Sequence, residues 1–154
     1  MNFRILILCT GNYCRSQMAE GILKSLDKFP LTKGGIEGGC LEVLSAGTEP
    51  ASQINQFAVK VMEEIGIDIS SQYPKSVEQF LGQSFDYVIT VCDNAKENCP
   101  VFYGKVQYTL HYGIPDPADA SGTDEVRLSV YRKTRDQIKE IFNEFYNSIS
   151  TPNA

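Results

Sequence analysis

Cys9 and Arg15 stand at the two ends of "CTGNYCR", inside the stretch "LCTGNYCRSQMAEG" (8–21), with five residues between them. Where such a segment joins a strand to a helix, successive backbone N–H groups can turn inward as an anion nest at the positive end of the helix. Gly11 removes side-chain hindrance where the backbone must wrap, and Asn12 tolerates left-handed geometry. Arg15 offers a planar, two-pronged donor suited to a tetrahedral oxyanion. The same donors would stabilise a thiolate at Cys9, with one more hydrogen bond from Ser16, and make it a nucleophile at neutral pH. The bland alternative is a buried Cys9 in a tight turn with Arg15 in solvent. Gly, Asn and Ser in these slots favour the nucleophile. No metal site is expected, because Cys9 and Cys14 lack zinc-knuckle spacing and His111 is the only histidine.

Cys14, Cys40, Cys92 and Cys99 complete a set of five thiols. An odd count in a reducing compartment argues against a permanent disulfide framework. Asp116 lies between Pro115 and Pro117, which restrict the local backbone. On its own it reads either as a turn aspartate or as a carboxyl held in place for general acid work, the turn being the default. Cys14 is close enough to pair with Cys9 under oxidation, with packing at least as good a reading; Cys40 reads as a structural or incidental thiol, and His111 as a structural histidine at a strand end.

The elements that position these residues follow from apolar spacing. "FRILIL" (3–8) is a nearly continuous apolar run, the pattern of a strand buried on both faces of a parallel sheet. From Arg15, the spacing of Met18, Ile22, Leu26 and Phe29 predicts a helix that stops before Pro30. "LTKGGIEGG" (31–39) reads as a loop, and "LEVLSAG" (41–47) as a second strand. Phe57, Val61 and Ile65 predict a second helix that Gly66 can end. "SVEQFLG" (76–82) suggests a short helix, "FDYVITV" (85–91) a third strand and "KVQYTL" (105–110) a fourth. Residues 115–124 read only as loop. A last helix opens near Thr123 or Asp124 and turns Val130, Ile138, Ile141, Phe142, Phe145 and Ile149 inward. The alternation predicts an α/β fold: one domain over 1–154, with a four-stranded parallel sheet flanked by helices. Such folds bind ligands outside the carboxyl ends of their strands, where Cys9, Cys92 and the 111–124 loop all fall.

The chain has 154 residues, 42% hydrophobic and 21% charged, with a net charge of −5. That balance gives no reason to expect nucleic acid or an anionic membrane as partner. No apolar run approaches the roughly 18 residues that span a bilayer. "FRILIL" is also too short for a signal-peptide core, so a cytoplasmic protein is expected.

"CTGNYCRSQMAEG" resembles the phosphate loop of the low-molecular-weight protein tyrosine phosphatase fold. It is more similar still to the loop of the thioredoxin-coupled arsenate reductases, in which Gln-Met-Ala-Glu follows the arginine and serine. The phosphatases usually carry proline where this chain has Gln17. The likeness extends through "SAG" (45–47), "GIDIS" (66–70), "VITVCDNAKENCP" (88–100) and "HYGIPDPA" (111–118).

The resemblance implies an oxyanion-binding loop made of Thr10, Gly11, Asn12, Tyr13, Cys14, Arg15 and Ser16. It also selects the acid role for Asp116. Cys92 and Cys99 enclose "DNAKEN". In a regular helix that spacing is about 10.5 Å of rise, whereas a disulfide needs Cα atoms within roughly 7 Å. A bond between them would need the segment to loop or unwind, a redox-linked switch; otherwise each is a small buried hydrophobe. The reductases carry two cysteines at this place and spacing. The implied reaction is reduction of arsenate by a relay from Cys9 to Cys92 to Cys99, with thioredoxin as external reductant and no bound cofactor.

Two other readings remain. A phosphatase would use Cys9, Arg15 and Asp116 alone, although Ala118 and Asp119 replace the aromatic residues that commonly flank its aryl substrates. An oxyanion-binding sensor would use none of the chemistry. Some relatives bind potassium through residues that align with Asn12, Glu20 and Ser45, together with an aspartate. Lys75 takes that aspartate's place here, which implies a lysine ammonium in place of the cation. Tyr13 departs from both groups of loops.

Overall fold

The computed structural model describes residues 3–28, 41–93 and 100–150. Cys40, Cys99 and the glycine-rich stretch 31–39 lie outside these residues. Four strands, β1 (Phe3–Cys9), β2 (Leu41–Gly47), β3 (Ser84–Thr90) and β4 (Lys105–His111), form one sheet in the order β2-β1-β3-β4. Every pairing is parallel, with Ile5 opposite both Val43 and Tyr87. The helices are α1 (Arg15–Lys28), α2 (Gln56–Glu63) and α3 (Asp124–Ser150), with 3₁₀ turns at Val77–Phe80 and Pro117–Asp119.

The "FRILIL" run is continuous because β1 is central and both its faces are covered. Ile5 and Ile7 join a core built with Met18, Ile22 and Leu23 of α1, Val61 and Met62 of α2, and Tyr131, Ile138 and Phe142 of α3. Leu6 and Leu8 face the other way, against Phe80, Phe85, Val88 and Ala46. The "SVEQFLG" segment is therefore a 3₁₀ turn whose Phe80 caps this second face, with Ser76 Oγ accepting from the Glu78 amide.

In α3 the inward stripe differs from the one the sequence suggests. Leu128, Tyr131, Thr134, Arg135, Ile138, Phe142 and Phe145 are buried, whereas Val130, Ile141 and Ile149 are only half-buried. The apolar alphabet missed Thr134, whose hydroxyl bonds back to the Val130 carbonyl, and Arg135, whose guanidinium reaches the Val61 carbonyl and Glu64.

The strand order places the crevice of the fold. β1 leads to a strand on one side of itself and lies beside β3 on the other, so the chain reverses its winding between them. A crevice opens at such a point, outside the carboxyl ends. There the Val91 amide donates to the Leu8 carbonyl at 3.0 Å, carrying the β1–β3 pairing to the residues next to Cys9 and Cys92.

Candidate active site

Cys9 is the last residue of β1 and Arg15 the first of α1, so the loop between them is anchored at both ends by regular structure. Asn12 shapes it. Its φ of 49° is the only positive φ of a non-glycine among the described residues, a conformation asparagine accepts more readily than most. The Asn12 side chain holds the bend, with Nδ2 donating to Ser16 Oγ at 2.8 Å and to Ser45 Oγ at 2.9 Å. Its Oδ1 accepts from the Lys75 amide at 2.8 Å. In this geometry the Asn12 amide donates to Cys9 Sγ at 3.2 Å, and Ser16 Oγ lies 3.0 Å from the same sulfur. The described residues supply no acceptor for the amides of Gly11, Tyr13 and Cys14, and Thr10 Oγ1 is buried without a partner among them.

β2 supports the loop at Gly47. A Cβ there would overlap the Thr10 carbonyl and crowd Asn12, so only glycine allows the strand end to approach so closely.

Arg15 is 3% exposed. Nη1 donates to the Ile114 carbonyl at 2.8 Å, and Nη2 is 3.7 Å from Asp116 Oδ2. Arg15 is therefore not a solvated side chain, and Asp116 is a turn residue that also stands beside the Arg15 guanidinium. Asp116 Oδ1 accepts from the Ala118 amide at 2.9 Å and caps the 3₁₀ turn at Pro117–Asp119, where loop alone was expected. Its Oδ2 faces Arg15. The sequence offered no sign of Ile114 as a partner, because 99 residues separate it from Arg15.

Cys9 and Cys14 have different surroundings. Cys14 is buried in the core, and burial, followed by the charge of Asp116, pushes its thiol well above the ordinary range. It stays protonated and serves as packing. Cys92, two residues beyond the end of β3, is fully buried and disulfide-bonded.

The Tyr13 ring lies over Gly11, where a side chain at position 11 would strike it, and packs against the main core. Burial and the nearby Asp116 carboxylate raise its phenol above the ordinary value. The Tyr13 carbonyl accepts from the Asn55 amide at 2.8 Å.

Glu20 is buried behind the loop. Oε1 accepts from Ser45 Oγ at 2.6 Å, Oε2 pairs with Lys24 Nζ at 2.6 Å, and Lys75 Nζ stands 4.0 Å from Oε1. Burial depresses the Lys75 ammonium and Glu20 supports it. His111 Nδ1 shares a hydrogen bond with Thr90 Oγ1 at 2.7 Å, as suits a structural histidine. No group of three or more metal-ligating side chains occurs among the described residues.

The sequence profile of the low molecular weight phosphotyrosine protein phosphatase family matches residues 4–153. The arsenate reductase of Halalkalibacterium halodurans is 42% identical over 146 residues, spanning 94% of this chain and 96% of that protein. The solved structure of an arsenate reductase in a phosphate-binding state superposes with a TM-score of 0.75 at 32% identity, covering 97% of this chain and all of that one. A thioredoxin-dependent arsenate reductase of Corynebacterium glutamicum gives a TM-score of 0.59 at 25% identity, covering 96% of this chain and 63% of that one.

Proposed function

The chain belongs to the low molecular weight phosphotyrosine protein phosphatase family, and we propose that within it the chain is an arsenate reductase working by a cysteine relay. The observation that carries this reading is the juxtaposition of two cysteine-bearing strand ends: β1 closes on Cys9, and β3, hydrogen-bonded beside it, leads into Cys92.

The Cys9 thiolate, with the Asn12 amide and Ser16 hydroxyl on its sulfur, attacks arsenic(V) held by the loop amides and Arg15. Asp116 donates a proton to the departing oxygen, which leaves as water, and a Cys9–S–As(V) adduct remains. Cys92, disulfide-bonded in this structure, enters the cycle once thioredoxin has reduced it, and its thiolate attacks Cys9 Sγ. The S–As bond breaks with its electron pair passing to arsenic, so As(III) departs as arsenite and a Cys9–Cys92 disulfide forms. Cys99 attacks Cys92 Sγ and frees Cys9 as thiolate. Two electrons from the thioredoxin dithiol then reduce the Cys92–Cys99 bond. No bound cofactor enters the cycle. The site of action is the cytoplasm, where such a dithiol reductant is kept reduced, and no helix of the described residues is long and apolar enough to cross a membrane.

The test is arsenite production with thioredoxin, thioredoxin reductase and NADPH. Cys99→Ser should release one arsenite per protein and then stop, and normal multiple turnover of that variant would refute the relay. A phosphatase would need only Cys9, Arg15 and Asp116. Aryl phosphate hydrolysis that survives Cys92→Ser, with no arsenite formed by the unaltered protein, would establish that reading instead.

The Lys75 ammonium beside Glu20 supports activity without potassium. Replacing sodium chloride by potassium chloride should leave turnover and melting temperature unchanged, and a rise specific to potassium would overturn this.

A further inference from the structure

Gln17 lies in the first turn of α1 and is fully buried, yet its carboxamide is wholly engaged in hydrogen bonds. Nε2 donates to the Asn12 carbonyl at 2.8 Å and to the Tyr73 carbonyl at 3.0 Å. Oε1 accepts from Gln72 Nε2 at 2.8 Å, and the same Gln72 nitrogen reaches the Gln17 carbonyl at 3.0 Å. A buried carboxamide with both donors on carbonyls and its oxygen on a donor has one orientation. Turning it over would set oxygen against oxygen and leave an N–H group facing another.

The grip on Asn12 determines where the next N–H points. In a trans peptide the carbonyl of one residue and the amide N–H of the next lie antiparallel, and no cis peptide occurs among the described residues. Drawing the Asn12 carbonyl towards Gln17 Nε2 therefore turns the Tyr13 N–H the opposite way. The described residues offer that amide no acceptor. If the peptide flipped, it would present a carbonyl oxygen to a bound anion in place of a donor.

We propose that Gln17 is a positioning residue for oxyanion binding, which locks the Asn12–Tyr13 peptide with its N–H towards the anion and its carbonyl away from it. This rests on the reading of residues 10–15 as an oxyanion cradle. The Asn12 side chain is held independently by Ser16, Ser45 and Lys75, so Gln17 acts on the peptide beyond that bend. The Asn12 amide that reaches Cys9 Sγ belongs to the preceding peptide, between Gly11 and Asn12, and is not the one that Gln17 holds.

The experiment replaces Gln17 by Met, which keeps the length of the side chain and removes all three of its hydrogen bonds. The loss of one aligned donor to a charged ligand should raise the Kd for inorganic phosphate, measured by calorimetry, and the KM for arsenate by about tenfold, with kcat changed by less than about threefold. The pH profile of Cys9 alkylation should stay as in the unaltered protein. In amide NMR spectra the Tyr13 resonance should move on phosphate addition to the unaltered protein and stay still in Gln17→Met at the same phosphate concentration. A folded Gln17→Met protein with unchanged phosphate Kd, or one that loses kcat alone, overturns the proposal. Should Gln17→Met fail to fold, Gln72→Met removes the two bonds from Gln72 Nε2, to Gln17 Oε1 and to the Gln17 carbonyl, and leaves both bonds of Gln17 Nε2 in place. It should raise the phosphate Kd by about threefold, and an unchanged Kd overturns the proposal equally. If the unaltered protein binds no phosphate and reduces no arsenate, the cradle reading itself has failed, an outcome distinct from a failure of Gln17 to matter.

Discussion

Arg15 combines a charge with a fixed direction. Its Nη1 is anchored on the Ile114 carbonyl, and its Nη2 stands 3.7 Å from Asp116 Oδ2. A lysine would keep the charge but lose both the anchor and the flat fork. Arg15→Lys should therefore raise the phosphate Kd by about tenfold or more, read by calorimetry, with the protein still folded. Cys9 and Cys14 illustrate the same point for thiols. Five residues apart, both are buried free thiols, but Cys9 Sγ lies within hydrogen-bond distance of the Asn12 amide and Ser16 Oγ, whereas burial and the charge of Asp116 raise the thiol of Cys14. The residue types suggested the nucleophile, but only the surroundings assign Cys14 to packing. Tyr13, an oddity in the sequence, fills the space left by the missing side chain of Gly11.

The helices reach the site through their ends. α1 presents its N-terminus to the loop and α2 is started by Asn55, whose Oδ1 accepts from the Phe57 and Ala58 amides while Nδ2 donates to the Tyr131 hydroxyl. The Asn55 amide in turn holds the Tyr13 carbonyl. Asn55→Ala should cost about 1–2 kcal/mol of stability, seen as a lower denaturation midpoint, because two helix-end donors lose their cap. α2 was legible from Phe57, Val61 and Ile65, and Gly66 at φ 81° does close that turn. The cap was legible only as a residue type. Its second bond, to Tyr131, joins residues 76 apart and leaves no local trace. The 3₁₀ turn at Pro117–Asp119 was likewise hidden, since prolines around an aspartate suit both a loop and a capped turn.

Across the whole molecule, Glu64 at the end of α2 ties that helix to α3. It accepts from Arg132 Nε and Nη2 and from Arg135 Nη1. Those guanidinium bonds, Arg132 first, hold its carboxyl at about 2 against an ordinary 4.5. Its contribution is present above pH 4.5 and is lost as the pH falls towards 2. In melting curves taken against pH, Glu64→Gln should lie below the unaltered protein by a constant gap above pH 4.5, and the gap should close towards pH 2.

The parallel α/β sheet, the strand and helix positions, and the pairing of Cys9 with Arg15 were determined by sequence alone, because alternating burial, helical spacing and a strand–loop–helix motif are local properties. Tertiary structure alone decided the strand order that sets the end of β1 beside that of β3, the Ile114 anchor of Arg15, and the grip of Gln17 on Asn12 through the segment at Gln72 and Tyr73. Each of those depends on partners between which the chain must close a long loop, and no periodicity records which distant carbonyl a buried side chain will meet.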